Sequence, residues 1–411
     1  MHLRVMYPVA AAASVLFTSA CSGGTSQQPL PARPAGSPDG SIHIAQALQT
    51  QPSAPTPPQN QQVLIQTVQC TNADWTGYVC NYSGTSTRVT IQRYNLATAA
   101  ALPAITVHTT GTPFGARSLF ATADDSTFIT PLRVATGSGS ESEIDHTGGA
   151  YATSQHTFNS MSTDLTTLVA LDASSSPNNA SSIFDTFRTP FTTIFQRGTI
   201  NRSGISPGLL NRDGSIAMGN VGQSAFSDDI GFTSIPGSNK THVVQWSDPG
   251  NTCFQGPDAV DGNHAFYYFF LLGNGGCSYP RTIPDEIGIM NFHTFTYAGY
   301  INLPNNHRNA LDVSQINGDL YVPVGSNIYV WNIAACGCAR VQRELPGYFS
   351  DAVPVADRSG QHLILYGHPA SNANEMDVIS VNAQTGALEH TYYKGLSASG
   401  DHTYVTSALA Q

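Results

Sequence analysis

Short runs of apolar and β-branched residues alternate with turns rich in Asp, Asn and Gly along the chain from Gln62 onward. Turns followed directly by such a run occur at 124–129, 213–217, 261–267, 317–322 and 357–364. Short strands with turn signals at regular intervals are typical of an all-β architecture. The repeat period, roughly 40 to 60 residues, is the range in which four strands form one propeller blade. The pattern therefore predicts a single β-propeller.

Six blades fit the repeat best, with seven as the alternative. Their first residues are expected near Gln62, Gly115, Thr192, Asp258, Asn309 and Ser350. Residues 397–411 are left over as one further strand, which in a closed propeller completes the first blade and removes exposed sheet edges. Two other all-β folds compete. A pair of β-sandwiches is disfavoured because about 350 residues run without a linker break, and a parallel β-helix has a shorter repeat.

Two C-terminal units, residues 309–347 and 350–393, carry the clearest repeat. The first contains Gly318-Asp319-Leu320-Tyr321-Val322, and the second contains Thr385-Gly386-Ala387-Leu388 after a strand that ends in Asn382. These units resemble blades of the PQQ-like and YVTN-type β-propeller superfamily, and the resemblance is faint elsewhere. It implies a propeller fold. The chain has only 3 Trp, however, so it lacks the tryptophan docking pattern that quinoproteins repeat in each blade.

The first 21 residues have the layout of an export signal, with a short basic head, an apolar stretch over 5–17 and the ending Thr18-Ser19-Ala20-Cys21. Small residues before a cysteine resemble the lipobox of bacterial lipoproteins, in which the cysteine thiol is acylated, although Thr18 replaces the usual Leu. The alternative is an ordinary cleaved signal with a chance cysteine. Two or more acyl chains would anchor the protein stably, since each buried methylene contributes about 0.8 kcal/mol.

The segment after the cysteine, residues 22–60, is rich in Ser, Gly, Gln and Pro. It cannot bury enough apolar area to offset chain entropy, so we expect an extended, mobile spacer. The expected organisation is a lipoprotein signal peptide over 1–21, a disordered linker over 22–60 and a β-propeller over 61–411. Ser22 is not the Asp that often signals inner-membrane retention, so the outer membrane is the expected location if the host has two membranes.

Six cysteines remain after Cys21: Cys70, Cys80, Cys253, Cys277, Cys336 and Cys338. An even number in an exported chain favours disulfides, and fifteen connectivities can be drawn. We expect local pairing of Cys70 with Cys80 and of Cys253 with Cys277, each stabilising the fold by roughly 2 to 4 kcal/mol. Cys336-Gly337-Cys338 could form a strained bond or bind a soft metal ion, but no His or further Cys is close in sequence, so no metal is predicted.

Catalytic signatures are scarce in the sequence. Gly204-Ile205-Ser206-Pro207-Gly208 has the letters of a hydrolase nucleophile elbow, but Pro207 lacks the backbone N–H that the oxyanion hole needs. The EF-hand loop, the H-E-x-x-H zinc motif and the Walker loop are missing. Acidic pairs at 124–125, 228–229 and 285–286 could coordinate Ca²⁺, although such residues usually cap hairpin turns. No cofactor is expected, with Ca²⁺ as the open alternative.

The best candidate binding site is one mouth of a central channel. Arg117, Asp258, Asn309 and Asp351 each precede a turn or strand expected near the channel, and the run Asp-Ala-Val occurs at both 258–260 and 351–353. If the innermost strands line the channel, these four side chains would form a polar pocket at one mouth. Three histidines lie in or just after the turns that enter blades: His264, His362 and His368. Of these, His264 is the fifth candidate for the pocket.

Charge and composition narrow the choice of function. The 411 residues include 17 Lys+Arg and 27 Asp+Glu, and a net charge of -10 disfavours a nucleic-acid partner. Because no catalytic signature stands out, we predict a non-enzymatic binding or scaffold module at the bacterial cell envelope. It would be a monomer held to the membrane by its lipid, with a protein or glycan ligand. The alternatives are a propeller lyase or glycosidase that uses acids at the channel mouth, and a surface module without a specific ligand.

Overall fold

A computed structural model describes nineteen segments of the chain, and every structural statement below refers to them. They are residues 61–71, 87–106, 112–116, 119–122, 128–136, 139–146, 149–153, 156–172, 182–188, 194–200, 209–221, 229–234, 241–245, 253–272, 285–308, 310–336, 340–371, 375–396 and 401–410. The predicted signal peptide, the linker and the 204–208 motif lie outside these residues. Among the described residues, no helix has the length and apolar character needed to cross a membrane.

Almost all of the described residues lie in strands. The strands up to residue 245 are β1 (Gln62–Thr71), β2 (Thr87–Asn95), β3 (Ala101–Thr106), β4 (Thr112–Ala116), β5 (Phe120–Ala121), β6 (Phe128–Thr136), β7 (Gly139–His146), β8 (Gly149–Thr153), β9 (His156–Met161), β10 (Thr167–Asp172), β11 (Ser182–Arg188), β12 (Ile194–Ile200), β13 (Leu209–Leu210), β14 (Ile216–Val221), β15 (Asp229–Ser234) and β16 (Thr241–Gln245).

The second half continues the same pattern and adds one short helix, α1. Its elements are β17 (Cys253–Asp261), β18 (Phe266–Leu272), β19 (Glu286–Asn291), β20 (Thr296–Asn302), β21 (Asp312–Val313), β22 (Asp319–Val324), β23 (Asn327–Asn332), α1 (Ile333–Cys336), β24 (Arg343–Pro346), β25 (Val353–Ala356), β26 (His362–Gly367), β27 (Glu375–Asn382), β28 (Leu388–Leu396) and β29 (Asp401–Ala410). The all-β prediction is confirmed.

The described strands form seven antiparallel sheets, which we number I to VII in chain order. Their strand orders are β29-β1-β2-β3 (I), β4-β6-β7-β8 with β5 also paired to β6 (II), β12-β11-β10-β9 (III), β13 to β16 (IV), β17 to β20 (V), β21 to β24 (VI) and β25 to β28 (VII). From sheet III onward the first strand of each sheet contacts the first strand of the next, and β25 contacts β29. Sheet II joins the ring through contacts of β4 with β2 and of β7 with β9. The sheets therefore close into a single β-propeller.

The ring closes through the pairing of the last strand with the first. β29 lies antiparallel to β1, with Ala410 opposite Val63 and Asp401 opposite Thr71. In sheet I, β29 takes the edge position that β17, β21 and β25 hold in their own sheets. The expectation that a C-terminal strand completes the first blade is therefore confirmed. The edges of β1 and β29 that face each other are paired and are not exposed.

Five of the six predicted starting points fall within or next to the first strand of a described sheet, and Thr192 does not. Thr192 lies just before β12, the last strand of sheet III, so the sequence-based division merged sheet III with its neighbours. The described residues thus contain one sheet more than the preferred six. Sheet III was missed because its strands are rich in Ser and Thr and its only clear turn, at 162–166, lacks glycine.

The hydrophobic core is a series of layers between neighbouring sheets. The core is clearest in sheet VI, where the second strand, β22, is buried at every residue. Between sheets V and VI the core includes Tyr268, Leu320 and Trp331. Between sheets VII and I it includes Ile364 and residues of β1. Each sheet therefore depends on both of its neighbours for the burial of its apolar side chains.

The two ends of the ring are built differently because all inner strands run in the same direction. At one end, the turn end, lie the short turns that follow the inner strands, at 162–166, 211–215, 262–265, 314–318 and 357–361. At the other, the entry end, lie the connections that lead into inner strands, including 303–311 and 347–352. Since β1 is antiparallel to the inner strand β29, both Gln62 and Ala410 lie at the turn end.

The six predicted disulfide cysteines cannot be paired from the described residues. Cys70 lies in β1, Cys253 begins β17 and Cys336 ends α1, but the side chains of these three lie outside the described part. Cys80, Cys277 and Cys338 lie outside it altogether. The pairing therefore stays a prediction.

A buried hydrogen bond joins sheet VII to sheet I beside their shared core, and its removal tests this contact. Tyr392 Oη donates to the carbonyl oxygen of Leu96 at 2.7 Å and lies 3.0 Å from Ser380 Oγ, and burial raises the pKa of Tyr392 to about 12. Tyr392→Phe should lower the free energy of unfolding by about 1 kcal/mol, since it leaves a buried carbonyl without its donor. Urea unfolding measures this change. Tyr329→Phe, which removes an equivalent hydroxyl from β23, is the control and should stay near the wild-type value.

Candidate functional site

The turns at the turn end are hydrogen-bonded to one another across neighbouring sheets. Gln315, in the turn of sheet VI, accepts from the N–H of Gly262 at 2.9 Å and donates to the carbonyl oxygen of Val260 at 2.7 Å, both in sheet V. In sheets III and IV, the N–H of Asp164 donates to the carbonyl oxygen of Arg212 at 3.0 Å. Each turn thereby supplies partners for backbone groups of the next.

Two further contacts reach past a neighbouring sheet. A Cβ atom placed on Gly262 in sheet V would lie 2.0 Å from Oγ1 of Thr163 in sheet III, so these two turns touch although sheet IV lies between their sheets. Arg358 Nη2 in sheet VII lies 3.4 Å from the carbonyl oxygen of Thr122 in sheet II, past sheet I. The described turns therefore converge over the axis and narrow the opening at this end.

His264 belongs to this converging set of turns. Its Nδ1 lies 2.7 Å from Oδ2 of buried Asp261, and its backbone N–H donates to Oδ1 of the same carboxylate at 3.0 Å. The hydrogen bond to Asp261 raises the pKa of His264 above its usual value. Protonated His264 therefore stabilises the turn at low pH, and this contribution is lost as the pH rises through the raised pKa. A Cβ on Gly318 of sheet VI would lie 3.1 Å from His264 Nδ1, so the pair is part of the packing between sheets.

The structure does not bring all five predicted pocket residues together. Asp351 lies just before β25 at the entry end, whereas His264 follows β17 at the turn end. Asp258 lies within β17, but its side chain is outside the described part of the chain, and Arg117 and Asn309 are outside it entirely. The grouping of Arg117, Asp258, Asn309 and Asp351 at one mouth therefore stays a prediction, and His264 does not join Asp351.

The repeated Asp-Ala-Val run does not mark equivalent positions in the two sheets. Val260 closes the first run and pairs with Tyr267, next to the turn end. Val353 closes the second run and pairs with Tyr366, near the far end of its neighbouring strand. A β-bulge between Gln255 and Ala259 also lengthens β17. Identical residues are thus placed near opposite ends of their inner strands, and sequence alone could not show this shift of register.

A polar cleft opens at the entry end, where connections and turns of sheets V to VII meet. It encloses about 380 Å³ and is lined by residues 305–308, Gly325, Ser326 and Ser350. Such a volume lies near the lower end of the range for small-ligand pockets. We call it the entry cleft. Its lining offers side-chain amides, hydroxyls and one guanidinium, which are groups that position polar ligands by hydrogen bonds.

The backbone around the entry cleft is fixed by hydrogen bonds between its segments. The N–H of Gly325 donates to the carbonyl oxygen of Asn306 at 2.9 Å, and the N–H of Arg308 donates to that of Pro323 at 2.9 Å. Gly325 has a φ of 60°, and a Cβ there would lie 2.8 Å from Asn306 Nδ2. Both the conformation and the close approach favour glycine at this turn. The connection at 305–308 is therefore held against the β22–β23 turn.

His307 lies beneath the cleft and has both ring nitrogens occupied. Its side chain is 5% exposed, and its ring stacks on Phe270 with 5.9 Å between centroids. Nδ1 lies 2.8 Å from the carbonyl oxygen of Pro304, and Nε2 lies 3.5 Å from Oδ2 of Asp285. His307 therefore supports the cleft floor and offers no free nitrogen to a ligand.

Arg308 is the exposed cation of the cleft. Its Nε donates to the carbonyl oxygen of Ser350 at 3.2 Å, which ties the side chain to the connection that leads into sheet VII. Within the described part of the chain, Arg308 takes part in none of the ion pairs. Its guanidinium is thus positioned by the protein, and no carboxylate of the described residues forms an ion pair with it.

A histidine–aspartate pair adjoins the cleft. Asp351 follows the cleft residue Ser350, and its Oδ2 lies 2.5 Å from Nδ1 of His368, whose backbone N–H donates to Oδ1 at 2.7 Å. The third noted histidine, His362, pairs with Glu389 at 2.6 Å near the turn end. Of the three histidines, only His368 is therefore close to the cleft.

The predicted calcium positions are mostly outside the described residues. The pair at 124–125 is outside, and of 228–229 only the backbone of Asp229 is described. Asp285 contacts His307, while Glu286 is buried at the start of β19. Among the described residues, no group of three or more His, Cys, Asp or Glu side chains could hold a metal ion.

The entry cleft was not recognised from the sequence. Its signal is the run Asn305-Asn306-His307-Arg308 between the apolar residues Leu303 and Leu311, which is an ordinary polar loop by composition. What makes the run a site is its contact with Gly325 and Ser350, which come from other connections. Contacts between connections of different sheets follow from the ring and not from local sequence.

Comparison with known proteins leaves the function open. No protein-family model and no curated protein matches the chain. Similar solved structures include hydrazine synthase of Kuenenia stuttgartiensis (13% identity, 66% of this chain, 78% of that chain, TM-score 0.43) and a functionally unknown protein from Desulfotomaculum acetoxidans DSM 771 (11% identity, 81% of this chain, 95% of that chain, TM-score 0.45). A third is the β-propeller domain of the Trilobed protease from Pyrococcus furiosus, which has an open velcro topology (14% identity, 79% of this chain, 94% of that chain, TM-score 0.49). At such identities and TM-scores they establish neither the fold nor the function of this chain.

The contact between turns at Gly262 gives a test of the turn end. Gly262→Ala places a Cβ against Thr163 Oγ1 and 3.1 Å from Arg212 Cα, and the overpacking should cost about 1 to 3 kcal/mol of stability. Adding Thr163→Ala should recover part of that loss, because it removes the closer of the two contacts. A double-mutant cycle by urea unfolding, with Thr163→Ala alone as the third variant, measures the coupling. Strictly additive effects would show that these turns do not touch.

A half-buried acid between inner strands makes stability depend on pH. Oδ2 of Asp312 in β21 accepts from the N–H of Ala356 in β25 at 2.7 Å, and burial raises the pKa of Asp312 to about 6. The folded state then binds a proton that the unfolded state has lost, so the stability due to this group falls as the pH rises from about 4 to about 6.

Asp312→Asn should abolish this fall, since the amide oxygen still accepts the hydrogen bond and carries no charge. At pH 7 the variant should exceed the wild type by up to about 3 kcal/mol, with the gap closing towards pH 4. Urea unfolding at four pH values measures the slope. Glu344→Gln, at an exposed position in the same sheet, is the matched control and should leave it unchanged. If the free energy of unfolding depended on pH equally in Asp312→Asn and in the wild type, Asp312 would not be the group responsible.

Proposed function

We propose that this chain is a lipid-anchored β-propeller of the bacterial cell envelope that binds a protein or glycan ligand without transforming it. The observation that carries the proposal is the entry cleft, where the exposed guanidinium of Arg308 and the side chains of Asn305, Asn306, Ser326 and Ser350 surround one concave space. These groups donate and accept hydrogen bonds. In the described part of the cleft lining no carboxylate is present, and a pair of carboxylates is what glycoside hydrolysis requires.

The position of the chain ends supports an orientation in which the turn end faces the membrane. β1 begins with Gln62 at the turn end, so a linker over 22–60 would join the ring there. A lipid on Cys21 would then hold the covered turn end towards the bilayer. The entry cleft, at the opposite end of the ring, would face away from the membrane and be accessible to an envelope ligand.

The finer features of the proposal are the blade count and the type of protein. Seven blades correspond to the seven described sheets, each contributing one blade to the ring. The units at 309–347 and 350–393 support a PQQ-like or YVTN-type repeat, and the cysteines outside the signal support disulfides of an exported domain. The protein would act as a monomer, since the pairing of β29 with β1 closes the ring within one chain.

One observation favours the enzymatic alternative. The Nδ1 of His368 lies 2.5 Å from the Asp351 carboxylate, an arrangement that orients Nε2 as in many general bases. A lyase would use such a base next to the cleft. This alternative requires that His368→Ala abolish the release of unsaturated sugar from envelope glycans while the folded protein still binds them.

The binding proposal is tested by capture from native envelope. The bait is the full chain with Cys21→Ser, which cannot be acylated and should move from the membrane pellet to the soluble fraction, whereas Ser22→Ala should stay in the pellet. Mass spectrometry and sugar analysis of the captured material should show one enriched ligand. Bait with Gly325→Ala, which distorts the entry cleft, should recover several-fold less.

Three results would contradict this proposal. If the wild-type chain were found in the soluble fraction, the proposed lipid anchor would be contradicted. Equal recovery by the Cys21→Ser bait with and without Gly325→Ala, or no enrichment over heat-unfolded bait, would remove the cleft as the binding site.

A further inference from the structure

We infer that the entry cleft recognises the carboxylate of an acidic sugar through Arg308, and this inference rests on the proposed binding function. The starting point is the state of that guanidinium. It is exposed, lines the cleft and takes part in no ion pair within the described residues, in a chain with a net charge of -10. An acidic protein that keeps a fixed, unpaired arginine in a concave polar site has a group suited to an anion.

The hydrogen bonds of Arg308 set the direction from which the anion would bind. Nε is used by the carbonyl oxygen of Ser350 at 3.2 Å, and the backbone N–H is used by Pro323 at 2.9 Å. The two terminal nitrogens remain, and their parallel N–H groups match the two oxygens of a planar oxyanion. A side chain already held by the protein loses little freedom when it binds, so more of the interaction appears as affinity.

The charge of the cleft favours a carboxylate over a phosphate. The second cation-forming side chain, His307, has its nitrogens directed to Pro304 and Asp285, away from any ligand. Arg308 is therefore the only cation-forming side chain of the described lining that is open to a ligand. One guanidinium balances one carboxylate, whereas a phosphate monoester carries close to two negative charges at neutral pH and would remain partly unpaired.

The remaining lining favours a sugar as the carrier of the carboxylate. Asn305, Asn306, Ser326 and Ser350 are exposed, and their amide and hydroxyl groups match the hydroxyls of a pyranose ring. In the described lining no large apolar side chain offers a surface for a hydrophobic peptide anchor. The volume of about 380 Å³ suits one or two sugar units rather than an extended chain.

The experiment compares two disaccharides that differ in one group. Isothermal titration of the full acylated chain in detergent uses glucuronosyl-glucose as the acidic probe and cellobiose as its neutral counterpart. The wild type should bind the acidic probe at least tenfold more tightly. Arg308→Gln should remove this preference, and Arg308→Lys should retain only part of it, because an ammonium lacks the paired donors.

Arg340→Gln is the matched control. Arg340 is exposed and lies in sheet VI, in the connection between β23 and β24. It is not one of the residues that line the cleft. The variant loses the same charge, so an unchanged preference there, with a lost preference in Arg308→Gln, would separate a specific contact from general electrostatics. Thermal unfolding of both variants should match the wild type, which rules out loss of fold as the cause.

Several outcomes would overturn the inference. They are equal affinity for the two disaccharides, no binding of either, tighter binding of glucose 6-phosphate or of a peptide carboxyl terminus, or an equal loss in Arg308→Gln and Arg340→Gln. The envelope capture separates this failure from that of the proposed function. If the Cys21→Ser bait recovers a ligand and the same bait with Arg308→Gln recovers as much of it, the proposed binding function is supported. The recognition of an acidic sugar by Arg308 is then contradicted.

Discussion

The pairing of β29 with β1 is the interaction on which the rest of the structure depends. Each sheet of the ring buries its apolar side chains against two neighbours, so an open ring would expose a face of sheet I and a face of sheet VII together. The pairing supplies the inner strand of sheet I from the far end of the chain. It also fixes the position of β25, which contacts β29, and thereby the connection at Ser350 that lines the entry cleft.

The contrast between the two ends follows from the lengths of their connections. Turns of four or five residues follow the inner strands, and their polar side chains are used locally, as Asp357 does for the N–H groups of Ser359 and His362. Side chains committed in this way pack turn against turn. The connections at the entry end are longer, and residues such as Arg308 keep polar groups directed to solvent. The polar groups that are available to a ligand therefore lie in connections that are longer than a tight turn.

Much of the fold could be predicted from the sequence because each sheet carries its own local signals. The structure contains the turn and strand that the sequence predicted at 317–322. It also contains a strand that ends at Asn382, as predicted. Sheet III was missed because Ser and Thr in β9 to β12 weaken the contrast between strand and turn. The site was harder to predict, since Arg308, Gly325 and Ser350 are brought together by three separate connections. The Asp-Ala-Val runs misled for a related reason, because the first ends next to the last residue of β17, whereas the second ends at the first residue of β25.

The order in which the chain becomes available constrains how this protein can fold. Tyr392 contacts Leu96 across a sequence separation of 296 residues, and β1 waits still longer for β29. Contacts of such long range are slow to form, since the entropy of closing the intervening loop must be lost before the contact stabilises anything. Until β29 arrives, β1 has an unpaired edge whose residues are fully apolar over Val63, Leu64 and Ile65. That edge is a template for strands of other chains, so a nascent or truncated copy would be aggregation-prone where the finished ring is not.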